Sequence, residues 1–191
     1  MIRVGIIGDI GSGKSYIAKQ FDCPVFNADL EVSKLYKKNK ECFINFKKKF
    51  PKYIISFPIK KTEITKAILA KPQNLKKINN IVHPAIRLKM RSFLNKNKNK
   101  KIVILDIPLL LEQKLNKKDD YLIYVEAKKK DINKKLKKRV NHNIKIIKRL
   151  KKTQLPLELK KKKADFIIKN NFKGNSIKKN VKRILENILN D

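Results

Sequence analysis

Short apolar runs separated by amphipathic stretches predict alternating strands and helices along the chain. The first run, residues 2–7, stops at Gly8, as a buried strand does at a turn. Four further strands are predicted at residues 23–26, 101–105, 121–125 and 164–168. Because these strands alternate with helices, the pattern predicts a parallel sheet covered by helices on both faces.

Apolar residues at helical spacing fill the segments between the predicted strands. Helices are predicted at residues 14–21, 30–38 and 177–189. Residues 41–95 are interrupted by prolines and contain only an ambiguous strand at 53–57, so they are predicted to form a mainly helical insertion. A lysine-rich helical region is predicted at 129–163, with a break at Pro156. One domain is therefore expected, with a core of residues 1–40, 96–128 and 164–191.

The segment between the first strand and the first helix fits the phosphate-binding pattern G-x-x-x-x-G-K-[ST]. Its sequence is Gly8-Asp9-Ile10-Gly11-Ser12-Gly13-Lys14-Ser15. Glycines there allow backbone N–H groups to face phosphates, and the helix N-terminus adds the positive end of its dipole. Lys14 is expected to reach the β- and γ-phosphates and the Ser15 hydroxyl to coordinate Mg²⁺. The sequence therefore predicts that the protein binds ATP or GTP.

The remainder of the chain favours a kinase among the proteins that carry such a loop. A GTPase would show a guanine-reading N-K-x-D segment after a strand, and none follows residues 121–125. An oligomeric motor usually needs a longer chain than 191 residues. Small-molecule kinases have this size and carry an acceptor subdomain and a mobile lid, which residues 41–95 and 129–163 resemble.

The formal charge of +34 raises the alternative of a nucleic-acid partner. Only six of the 50 basic residues are arginine, the residue best suited to specific phosphate and base recognition, and the lysines are spread over nearly every polar segment. This distribution favours a basic surface without a specific nucleic-acid site. The alternative, an RNA-associated protein that uses ATP only as a ligand or not at all, predicts salt-dependent RNA binding without nucleotide turnover.

The sequence also allows expectations about the location, the redox state and the assembly of the protein. No signal peptide and no apolar window long enough to span a bilayer are recognisable, so a cytoplasmic protein without a membrane partner is expected. Cys23 and Cys42 lack the spacing of a metal or redox motif and are expected to be reduced, structural thiols. A monomer is favoured.

The chain resembles the dephospho-CoA kinase family at five places, in the order in which that family carries them. The loop resembles its G-G-I-G-S-G-K-S. Asn27-Ala28-Asp29 resembles the family's D-A-D, and Ile81-Val82-His83-Pro84 resembles its L-x-H-P. Residues 106–112 resemble D-x-P-L-L-x-E. The run from Arg149 through residues 154–158 resembles R-x-x-x-Q-x-P-x-E-x-K, and residues 164–171 resemble the A-D-x-V-I-x-N that follows it.

The resemblance implies an α/β P-loop kinase fold with a five-stranded parallel sheet flanked by helices. Residues 41–95 would form a helical subdomain for the CoA substrate, and residues 129–163 a lid. The implied reaction transfers the γ-phosphate of ATP, with Mg²⁺, to the ribose 3′-hydroxyl of dephospho-CoA, giving coenzyme A and ADP. A nucleoside or nucleoside monophosphate kinase of the same fold stays an alternative.

The resemblance also implies roles for individual residues in catalysis and acceptor binding. Asp29 would accept the 3′-hydroxyl proton or orient that oxygen, unless it only caps the helix expected to begin at Leu30. Asp106 would hold Mg²⁺ through water or act as the alternative base, unless it only initiates a turn. His83 and Pro84 would bind the CoA side of the acceptor.

Cations and loop residues complete the implied ATP site. Lys14, Arg139 and Arg149 would neutralise charge on the transferring phosphoryl group. Two departures from the family pattern affect this site: Asn27 replaces the first acid of D-A-D, and Asp9 replaces a glycine and is expected to weaken ATP binding unless its carboxylate points away. The predicted ATP-binding residues are Gly8, Gly11, Ser12, Gly13, Lys14, Ser15, Tyr16, Arg139 and Arg149.

Overall fold

A computed structural model describes residues 1–138 and 143–191 of the chain. Its centre is a five-stranded, all-parallel sheet with the strand order β2-β3-β1-β4-β5. All five predicted strands are present, with ends shifted by at most two residues. The strands are β1 (Ile2–Gly8), β2 (Val25–Asn27), β3 (Ile102–Asp106), β4 (Tyr121–Glu126) and β5 (Phe166–Lys169).

Helices connect the strands, as the alternating pattern predicts. The helical character of residues 41–95 and the break of the lysine-rich region at Pro156 are confirmed. The helices are α1 (Lys14–Lys19), α2 (Ala28–Lys38), α3 (Lys40–Lys49), α4 (Lys61–Ala70), α5 (Asn74–Lys96), α6 (Lys129–Lys137), α7 (Ile144–Lys151), α8 (Leu157–Lys162) and α9 (Gly174–Asn190).

The ambiguous prediction of a strand at residues 53–57 is wrong, because the segment is irregular and is not part of the described sheet. The backbone N–H groups of Ile55 and Ser56 donate to the Glu63 carboxylate at the start of α4 instead. A side chain therefore satisfies the donors that a strand partner would otherwise satisfy.

The described chain forms two compact units. The first comprises residues 1–27, the described part of 97–142, and 151–191, and it contains the whole sheet. The second comprises residues 28–96 and 143–150. This division reflects compactness only, so the assignment of residues 41–95 to substrate binding and of 129–163 to a lid stays a prediction.

Apolar β-branched side chains build the core of the first unit around the sheet. Ile6, Ile104 and Ile123 come from its three central strands and have no exposed surface. The α1 helix contributes Ile17 to the same cluster, and α9 contributes apolar residues at helical spacing: Ile177, Val181, Ile184 and Ile188. The cluster fixes the sheet and therefore the position of the loops at the strand ends.

The second unit has a separate core formed by its helices. The ring of Phe46, which is fully buried, meets the Tyr36 ring edge-on with the centroids 5.6 Å apart. Cys42 lies in this core, and burial raises the pKa of its thiol to about 11. Cys23 and Cys42 are free thiols, as expected.

None of the helices that the structure describes has both the length and the apolar character needed to cross a membrane. The longest of them, α5, carries charged and amide side chains between its apolar positions.

A buried ion pair fixes α8 in the first unit. Lys160 Nζ lies 2.6 Å from Glu112 Oε1, with the two side chains 1% and 8% exposed, and the same oxygen accepts from the N–H of Leu155. Replacing Lys160 with methionine is expected to lower the free energy of unfolding by about 3–5 kcal/mol, because the Glu112 carboxylate stays buried without its partner. Denaturant unfolding measures this loss.

The neighbouring lysine supplies the control for this prediction. Lys161 pairs with Glu126, but both side chains are more than a third exposed, so Lys161→Met is expected to cost much less stability. Equal losses in the two variants would contradict the special role of the buried pair.

Candidate active site

The loop between β1 and α1, residues 8–15, has the backbone geometry of an anion cradle. Three glycines of the loop have positive φ values, which L-residues rarely adopt: +143° at Gly8, +86° at Gly11 and +93° at Gly13. A Cβ atom at Gly13 would also clash with the side-chain amide of Asn170, and one at Gly8 would lie 2.7 Å from the carbonyl oxygen of Val125. Both glycines are therefore required by the fold of the loop.

Lys14 is folded back onto the loop to which it belongs. Its ammonium group donates to the backbone carbonyl oxygens of Gly8, at 3.2 Å, and Asp9, at 2.8 Å, and its side chain is nearly buried. Ser15 and Tyr16 follow in the first turn of α1 and are exposed. The Ser12 hydroxyl is buried and has no hydrogen-bond partner in the described structure. A cation and an unpaired donor therefore belong to the same loop.

Asn170, directly after β5, braces the loop from the other end of the chain. Its side-chain N–H donates to the carbonyl oxygen of Ser12 at 2.7 Å, and its side-chain oxygen accepts from the N–H of Phe172 at 2.8 Å. Asn170 is 3% exposed and Ser12 is fully buried. The amide therefore satisfies a buried carbonyl that water does not reach.

Replacing Asn170 with alanine is expected to lower the free energy of unfolding by about 1–3 kcal/mol, because the buried Ser12 carbonyl loses its donor. ATP binding should weaken as the loop loses its brace. Thermal unfolding and nucleotide titration measure the two effects. Asn171→Ala is the matched control, since Asn171 is exposed and bonds only the nearby N–H of Lys173; equal effects of both variants would contradict the brace.

Two polar residues end neighbouring strands at the same edge of the sheet. Asn27 and Asp106 are register partners in β2 and β3, and the Asn27 side-chain N–H donates to Asp106 Oδ2 at 2.5 Å. Asp106 is only 2% exposed. The carboxyl ends of parallel strands are where ligands bind in such sheets, and β1 ends in the phosphate-binding loop there. Asn27 thus supplies a hydrogen-bond donor where the family pattern has an acid.

Asp9 is held within the loop by two contacts. Oδ1 accepts from the N–H of Ile10 at 2.6 Å, and Oδ2 lies 3.1 Å from Lys151 Nζ. Among the described residues, the carboxylate accepts no hydrogen bond from the N–H groups of residues 11–15. Burial, and secondarily the negative charge of Asp9, raise the pKa of Tyr124 on β4.

The remaining predicted residues that the structure describes lie in the second unit. Asp29 is exposed in the first turn of α2. Because that helix begins at Ala28, the alternative prediction that Asp29 caps a helix beginning at Leu30 is wrong. His83, partly buried, and Pro84, exposed, lie inside α5. Their roles stay predictions.

The structure describes one of the two arginines predicted to bind phosphate. Arg149 lies in α7, and its guanidinium donates to the carbonyl oxygen of Ile68 within the second unit. It stands five positions before Gln154, one more than in the family pattern to which it was matched. Arg139 lies outside the described residues.

Two contacts of the loop were missed by the sequence interpretation. In the sequence, Asn170 belongs to the run that resembles A-D-x-V-I-x-N, and its place directly after the last strand of a parallel sheet is a signal for this edge. Lys151 carried no signal, because it is one lysine in a lysine-rich region. Both act over more than 140 positions of sequence.

Comparisons with known proteins agree with this geometry. The family model described as dephospho-CoA kinase matches residues 2–176. Proteins of that name from Wolbachia sp. subsp. Brugia malayi and Bartonella quintana are each 32% identical, with 97% of this chain and 97% of the relative covered.

Solved structures resemble the whole chain as well. A Thermus thermophilus protein has a TM-score of 0.76 at 26% identity, covering 98% of this chain and 96% of its own. Dephospho-CoA kinase from Campylobacter jejuni has a TM-score of 0.65 at 21% identity, covering 97% and 96%. Shikimate kinase from Bacteroides thetaiotaomicron, at 0.53 and 13%, has a similar fold. The predicted α/β P-loop kinase fold is confirmed.

Proposed function

The chain belongs to the dephospho-CoA kinase family, and from this we propose that it transfers the γ-phosphate of ATP to the ribose 3′-hydroxyl of dephospho-CoA. The products would be coenzyme A and ADP, the last step of coenzyme A synthesis. The family match over residues 2–176 carries the proposal, and the phosphate-binding loop at the end of β1 supports it independently.

The loop would bind the phosphates of ATP through its N–H groups, with Lys14 as the principal cation. An ammonium group fixed in the loop stabilises charge that develops on the γ-phosphoryl oxygens, and it needs little reorganisation when the reaction occurs. Closure over both substrates would keep water from taking the phosphate.

The residues present fit a magnesium ion held mainly by the nucleotide. Mg²⁺ prefers oxygen ligands and retains several waters, and the Ser15 hydroxyl and the Asp106 carboxylate supply such oxygens. Within residues 1–138 and 143–191, no group of three or more His, Cys, Asp or Glu side chains could form a metal cage. The ion, when bound with ATP, would neutralise phosphate charge.

The acceptor side of the proposal rests on residues of the second unit. Asp29 would accept the 3′-hydroxyl proton or orient that oxygen, with Asp106 as the alternative base. His83 and Pro84 would bind dephospho-CoA, and Arg139 and Arg149 would add positive charge at the phosphoryl group. We also propose that the protein is a cytoplasmic monomer and that it has no specific nucleic-acid partner.

The experiment measures ADP release from ATP and magnesium after addition of dephospho-CoA. AMP, CMP, adenosine and RNA are tested in parallel as acceptors or activators, and the Lys14→Ala variant is the control for the site. Stimulation by dephospho-CoA alone, abolished in the variant, is the expected result. A mass increase of one phosphoryl group on the acceptor identifies the product.

Other outcomes separate the alternatives. Stimulation by a nucleotide or nucleoside would contradict dephospho-CoA as the acceptor. It would leave the proposed ATP site intact, since nucleotide and nucleoside kinases share the loop and lid. RNA binding without ADP release would contradict the kinase proposal altogether.

A further inference from the structure

The phosphate-binding loop contains an anion of its own. Asp9 stands second in the loop, and its side chain is only 10% exposed, so water does little to screen its charge. Backbone N–H groups arranged to bind phosphate also bind a carboxylate. A carboxylate attached to the same loop competes with ATP at a high effective concentration unless something else holds it.

Lys151 supplies that hold. Its Nζ lies 3.1 Å from Asp9 Oδ2, while Oδ1 is occupied by the adjacent N–H of Ile10. The two contacts engage both oxygens of the carboxylate and leave the pair with no net charge. The Lys151 side chain is 43% exposed, so the core does not require it.

We propose that Lys151 is a positioning residue for ATP binding, which holds the Asp9 carboxylate away from the N–H groups of residues 11–15 and cancels its charge. The inference rests on ATP binding by the loop, which is part of the proposed function. It does not depend on which acceptor the enzyme phosphorylates. It also accounts for the presence of an acid where the family pattern has glycine, because the chain carries a matching cation.

The test is a titration with a fluorescent ATP analogue and magnesium in the absence of any acceptor. Lys151→Ala is expected to raise the dissociation constant about five- to tenfold, as expected for one uncompensated charge a few ångströms from a triphosphate. Lys152→Ala, the same change of charge at the next exposed position, is expected to shift it less than twofold. Lys151→Arg, which keeps the charge, should bind like the unaltered protein.

The decisive variant is Asp9→Asn in the Lys151→Ala background. It removes the carboxylate but keeps an oxygen for the N–H of Ile10, so the affinity is expected to return to within about twofold of Asp9→Asn alone. A direct contact between Lys151 and phosphate predicts no such rescue. The melting temperature of each variant reports on folding separately from the nucleotide affinity.

Three results would overturn the proposal: unchanged affinity in Lys151→Ala, equal losses in Lys151→Ala and Lys152→Ala, or a loss that Asp9→Asn does not rescue. Because the titration contains no acceptor, its outcome is independent of whether dephospho-CoA is phosphorylated. If the unaltered protein binds the analogue but dephospho-CoA fails, the acceptor assignment alone is contradicted.

Discussion

Replacing Lys14 with alanine is expected to lower kcat/KM about 1,000-fold, the largest effect of any single substitution considered for this chain. Lys14 is the one cation that the structure fixes inside the described loop, held by the carbonyl oxygens of Gly8 and Asp9. Because its charge would act on the phosphoryl oxygens where little water enters, no mobile lysine is expected to replace it. Steady-state ADP release with dephospho-CoA as acceptor measures the change.

Lys19 provides the control for this substitution. It lies in the same short helix, α1, and is exposed in its last turn, so Lys19→Ala changes the protein charge equally while leaving the loop intact. Turnover within about twofold of the unaltered protein is expected for it. A loss smaller than tenfold in Lys14→Ala, in a protein that still melts cooperatively, would remove Lys14 from the reaction.

The strands and the loop follow from local sequence because each depends on neighbouring residues. Runs of β-branched residues buried on both faces leave few alternatives to a parallel strand, and β1, β3 and β4 lie within one residue of their predicted ends. The loop is equally local, since its three glycines are needed for backbone angles that other residues avoid.

Contacts between distant parts of the chain were not predictable in the same way. Asp9 with Lys151, Ser12 with Asn170, and Glu112 with Lys160 each join segments that only the folded sheet and its helices bring together. A lysine-rich sequence hides such partners, because the few buried lysines look like the many exposed ones. The prediction of a strand at residues 53–57 is wrong for a related reason. The Glu63 carboxylate, and not a neighbouring strand, accepts the hydrogen bonds of the N–H groups of Ile55 and Ser56.

The Asp106 carboxylate has two predicted roles, as a magnesium ligand or as the alternative base, and the structure adds an observation that bears on the choice. Its position at the end of β3 was predicted, whereas the hydrogen bond from Asn27 was not. That donor occupies Oδ2 of a nearly buried carboxylate, whereas Asp29 is exposed in the first turn of α2. We therefore expect Asp29 to be the base, so that its replacement has the second large effect.

Replacing Asp29 with asparagine is expected to lower kcat about 100-fold, with the dissociation constant of ATP changed less than twofold. The amide keeps the size of the side chain but cannot take the 3′-hydroxyl proton. Asp106→Asn should instead raise the magnesium concentration needed for half-maximal rate, since it removes a charged oxygen ligand. Initial rates over a series of magnesium concentrations and pH values separate the two.

Glu31→Gln is the matched control, an acid in the same first turn of α2 whose carboxylate pairs with Lys34 on the helix surface. It should leave both kcat and the magnesium dependence nearly unchanged. If Asp29→Asn keeps its rate while Asp106→Asn loses kcat at saturating magnesium, the base is Asp106. The hydrogen bond from Asn27 would then orient the catalytic carboxylate itself, and Asn27→Ala should lower kcat as well.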